Sequence, residues 1–101
     1  MMTFWPFYAE YEFGLSKIRE KRIALAINIV QNHGTLSDAE AIDLLKEKLR
    51  IDADELKFKL SCVGKFMQVL PGRKVVRFYQ VENRFDTAAK SELYRNIPVI
   101  R

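Results

Sequence analysis

Apolar residues in this chain recur mostly at spacings of three and four, the mark of helices with one covered face. From Leu15 to Asn32 the pattern predicts a helix. Its first half sets Leu15 and Ile18 against a basic cluster, and its second half, "IALAINIV" (Ile23 to Val30), is apolar almost all round. A helix of that kind is covered on more than one side. His33-Gly34 stops it. A second helix starts at Ser37, where Ser37-Asp38-Ala39-Glu40 has the form of a capping box. Ala41, Ile42, Leu45 and Leu49 form its expected buried stripe, and it ends near Leu49. Ile51-Asp52-Ala53-Asp54-Glu55 repeats the capping logic, with Asp52 as cap of a third helix that buries Leu56, Leu60 and Val63 and stops at Gly64.

Beyond Gly64 the period changes. "FMQVL" (Phe66 to Leu70) and "KVVRFYQV" (Lys74 to Val81) are rich in β-branched and aromatic residues and flank "PGR", which predicts a hairpin with a basic tip. Asp86 then caps a short helix, "TAAKSELYRN", which Pro98 terminates.

The first fourteen residues stand apart. "TFWPFYAEYEFG" holds Phe4, Trp5, Phe7, Tyr8, Tyr11 and Phe13, half of all the aromatic residues in the chain. Side chains of that size are unfavourable in water, so Trp5, Phe7, Tyr8 and Tyr11 are expected to be largely buried, against the first long helix or across a two-fold dimer contact.

With 101 residues the chain is expected to be a single domain, residues 1–101. Its lone cysteine, Cys62, has no internal disulfide partner, which suits a reducing, cytoplasmic setting. No apolar run reaches the roughly 18 residues of a membrane span, and nothing resembles a signal peptide. The net charge of +4 is unevenly spread. Basic residues gather at Lys17, Arg19, Lys21 and Arg22 and again between Lys57 and Arg84, while residues 35–56 are acidic. Two basic segments suggest an anionic partner if the fold unites them.

The ordered set of elements resembles the winged helix-turn-helix superfamily over residues 15–81. The set comprises Ile51, the cap Asp52, the apolar positions Leu56, Leu60 and Val63, Gly64, and the hairpin. The resemblance implies an α+β fold of three helices plus a two- to three-stranded antiparallel wing. Residues 1–14 are then an aromatic N-terminal extension and residues 82–101 a C-terminal helix and tail. It implies that the third helix enters the major groove of double-stranded DNA while the wing contacts phosphates. The DNA-binding residues would be Lys57, Lys59, Ser61 and Lys65 on that helix and Arg73, Lys74 and Arg77 on the wing, in a homodimeric transcriptional regulator. Asp54, Glu55 and Phe58 depart from the usual reading helix, and the alternative is a winged-helix protein–protein interaction module within a larger assembly.

Catalytic chemistry finds little support in the sequence. His33 is the only histidine and sits at a helix end, and Cys62 has no histidine at a telling distance. Too few cysteines and histidines are present for a zinc site of the Cys/His type. Glu55-Leu56-Lys57 matches a fragment of a nuclease motif that belongs on a strand, whereas this stretch reads as a helix. No enzyme, no cofactor and no metal is expected.

Overall fold

A computed structural model describes residues 4–100 as three long helices: α1 (Phe4–Asn32), α2 (Asp38–Met67) and α3 (Gly72–Arg95). Contacts between α1 and α2 pair Tyr11 with Phe66 and Arg22 with Glu55, so the two helices run antiparallel. Those between α2 and α3 pair Phe66 with Phe78 and Glu55 with Lys90, so α3 turns back again. The result is an up-down-up arrangement with principal extents of 52 × 21 × 18 Å. The radius of gyration is 16.5 Å, against about 13 Å for a compact domain of about 100 residues. A rod of this kind keeps much of its side-chain surface outside.

The aromatic cluster of the N-terminus belongs to the first turns of α1. Tyr11 is fully buried and Leu15 nearly so, packed with Cys62 and Phe66 of α2 and Val75 of α3. Phe4, Phe7, Phe58, Phe78 and Tyr79 close around them. The rings meet mostly edge to face, the geometry that the ring quadrupoles favour, as Tyr11 and Phe66 do with centroids 5.5 Å apart, while Phe66 and Phe78 lie tilted to each other at 4.7 Å. Phe7 and Tyr8 are half-buried, whereas Trp5 remains 64% exposed.

The α+β winged-helix expectation is overturned, because no strand occurs among the described residues. Three local readings account for the difference. Asp52 and Glu55 do not cap a new helix: α2 passes straight through them, and their carboxylates bind cations on the other helices. Gly64 lies inside α2, with no left-handed conformation. The expected hairpin is the start of α3. Pro71 takes the N-cap position, and its carbonyl accepts from the amides of Lys74 and Val75. Val75, Phe78, Tyr79, Glu82 and Asp86 then recur at helical spacing toward α2. The segment expected as a separate C-terminal helix is the end of α3, which stops at Arg95, before Pro98. Two expected features do occur. The Ser37 capping box is complete, with Ser37 Oγ accepting from the Glu40 amide and Glu40 accepting from the Ser37 amide. The first long helix ends at Asn32, just before His33-Gly34.

Candidate functional site

The face of α2 that packs inside the protein is not the one its leucines mark. Ile51, Glu55, Cys62 and Phe66 point inward. Ile42, Leu45, Leu49, Leu56, Leu60 and Met67, the first five of them expected in the core, are between 50% and 72% exposed. With Ala53 and Gly64, also exposed, they fall at residues 42, 45, 49, 53, 56, 60, 64 and 67. The steps of three, four and four repeat every eleven residues. Eleven residues make just over three whole turns, so the stripe runs nearly straight along the helix. It occupies an arc of about 100° and is centred about 140° from the inward face. At about 1.5 Å per residue it is roughly 37 Å long. The helix therefore carries two apolar faces, and only one has a partner among the described residues.

What fixes α2 in this orientation is a ring of charges where its other side meets α1 and α3. Arg22 of α1 is buried. One of its terminal nitrogens donates to Asp52 Oδ1 and to the Tyr94 hydroxyl, each at 2.6 Å, and the other donates to Glu55 Oε2 at 3.1 Å. Glu55 also accepts from Lys90 and lies 3.4 Å from the Lys59 amine, while Asp86 lies 3.3 Å from Lys59 and 3.0 Å from Lys90. Lys48 completes the set on Asp52 at 2.6 Å. Burial opposes the charge of Glu55, Asp86 and Asp52. Hydrogen bonds from Lys90 to Glu55 and Asp86, and from Lys48 and Arg22 to Asp52, together with the charges of those cations, more than offset it and hold all three carboxyls below their ordinary range. Glu82 behaves oppositely: its burial and the facing Glu12 raise it against the opposing pull of Arg19. An ion network buried this way is costly to form and costlier to break. Turning α2 to bury its leucine stripe would strand these charges.

The residues expected to contact DNA are divided by this fold. Lys57 and Ser61 share the exposed side of α2, though the Ser61 hydroxyl donates to the Phe58 carbonyl at 2.7 Å. Lys59 is drawn into the charge network, and Lys65 pairs with Glu10 at 3.1 Å. Arg73, Lys74 and Arg77 stand exposed on the first two turns of α3 and not on a wing. At a helix N-terminus their charge opposes the dipole. Phe58, unusual for a reading helix, stacks toward Tyr11 at 6.0 Å. Of the four aromatic residues expected at an interface, Tyr11 is internal and Trp5 is open to solvent. The signal missed in the sequence was the eleven-residue recurrence, which runs unbroken through the assumed boundary at Ile51.

Neither reactive side chain gathers partners. His33 Nδ1 lies 3.0 Å from the Val30 carbonyl at the exposed end of α1, and Cys62 is a buried free thiol. Among the described residues no cluster of His, Cys, Asp and Glu is arranged to hold a metal ion. No helix among them is long and apolar enough to cross a membrane. A second, narrower apolar groove lies between α1 and α3, lined by Ile23, Ile27, Val30, Leu93 and Ile97. Comparison with protein-family descriptions, with curated proteins and with solved structures finds no match for this chain.

Proposed function

We propose that the chain is a protein-interaction module: an elongated three-helix rod that offers the outer face of α2 to another apolar helical surface. The observation that carries this reading is the exposed stripe from Ile42 to Met67 on a helix whose opposite side is already packed. Contiguous apolar surface of this extent is uncommon on a free soluble surface and marks sites of contact. Fully covering a Leu or Ile side chain is worth roughly 1.5–3 kcal/mol, so a partner covering even half of the stripe gains enough to bind. The winged-helix form of the interaction reading is dropped with the wing, and the docking role rests on α2 alone.

The test separates a docking face from a core face. In solution dilute enough that no partner covers the stripe, replacing Leu56 and Leu60 together by lysine should leave the helical circular-dichroism signal unchanged and the melting temperature within a few degrees of the parent. Phe66→Ala, in the internal cluster, should lower stability by about 3–5 kcal/mol. If the double lysine variant unfolds as Phe66→Ala does, the stripe belongs to the core of the isolated chain and the reading fails.

A further inference from the structure

The order of residues along the stripe says which partner fits. Its steps, 3-4-4-3-4-4-3, read the same in both directions. A second copy laid antiparallel, with its two-fold axis between Asp54 and Glu55, therefore meets the first copy position for position. Ile42 faces the partner copy's Met67, Leu45 its Gly64, Leu49 its Leu60, and Ala53 its Leu56. Large residues meet small ones at two of these four levels, as interdigitating helices require. A parallel pairing would set Gly64 on Gly64 and Ala53 on Ala53, leaving gaps.

The stripe covers about three and a half heptads' worth of helix, the length at which sustained patterns of this kind indicate helix pairing. Building on the docking role of α2, we infer that the occupant of its outer face is the same face of a second copy of this chain, antiparallel about an axis at Asp54–Glu55. The dimer uses α2 and not the aromatic start of α1.

Cysteine cross-linking in a Cys62→Ala background tests the register. Residue 53 and its symmetry mate lie about 4.5 Å apart along the axis, close enough for a disulfide, whereas the two copies of residue 42 lie about 37 Å apart. Ala53→Cys should give a covalent dimer under mild oxidation and Ile42→Cys should not. The parent should sediment at twice the chain mass, and the Leu56→Lys, Leu60→Lys variant at the chain mass. Cross-linking at both positions means a parallel pair and overturns the proposal. A parent that sediments as a monomer throughout the micromolar range, with no cross-link at either position, also overturns it. In that case a folded lysine variant leaves the docking role of α2 intact with a different partner, whereas an unfolded one removes both.

Discussion

The ring of Phe58 rests directly on Gly14: a Cβ added to that glycine would lie 2.2 Å from Phe58 Cζ and 2.5 Å from Cε1. Gly14 sits inside α1, where glycine ordinarily costs about 1 kcal/mol relative to alanine. Its lack of a side chain is what lets α2 approach and Phe58 stack on Tyr11. Gly14→Ala is therefore expected to destabilise the protein despite the gain in helix propensity. In a Phe58→Ala background the same change should become neutral or stabilising. Urea midpoints of the four chains give the coupling directly.

Tyr11 presents the opposite case. Its hydroxyl is buried with no hydrogen-bond partner among the described residues, and burial pushes its pKa well above the ordinary tyrosine value. An unpaired buried polar group costs about 1–3 kcal/mol. Tyr11→Phe should thus leave stability unchanged or raise it, as a thermal melt will show, while Tyr11→Ala should cost several kcal/mol through the cavity alone.

Removing Arg22 should be among the most damaging changes on the charged side of the fold. Arg22→Leu leaves Asp52 with Lys48 only and Glu55 with Lys59 and Lys90. Breaking a buried pair costs about 3–5 kcal/mol, and the remaining lysines place this variant at the lower end of that range. The readout is denaturant unfolding. Replacing surface pairs such as Lys17 with Glu20, both well exposed, should change stability by less than about 1 kcal/mol.

The same network sets the response to acid. Asp52, Glu55 and Asp86 have folded-state pKa values below their ordinary ones. Their contribution is therefore complete above the ordinary carboxylate range, near about pH 4, and is lost as pH falls through it. Glu82 is raised, so its contribution has the reverse sign and improves on protonation. Stability should hold or rise slightly from neutral pH to about pH 5 and then fall steeply below about pH 4. Glu82→Gln should abolish the rise and keep the fall.

The parts of this architecture that local chemistry decides were legible in the chain. The Ser37 cap with Glu40, and the end of the first helix just before His33-Gly34, follow from backbone hydrogen bonding within a few residues. What tertiary contact decides was not. Asp52 and Glu55 look like a capping pair until Arg22, Lys48, Lys59 and Lys90 claim them from a distance. Val75, Phe78 and Tyr79 suit a strand by residue type and a helix by spacing, and packing on Cys62 and Phe66 selects the helix. Leu49, Leu56 and Leu60 were legible as a face that must be covered, but the pattern does not say whether the chain itself covers it.

The accessibility of that face is the most direct test of the account. In a Cys62→Ala background, Leu60→Cys should react with a thiol reagent in dilute solution nearly as fast as an unstructured peptide. Its rate should fall as protein concentration rises and the second copy covers α2. A rate slow at every concentration, and matching that of global unfolding, would mean that residue 60 is inside the isolated chain, and would contradict the claim that the outer face of α2 is built for a partner.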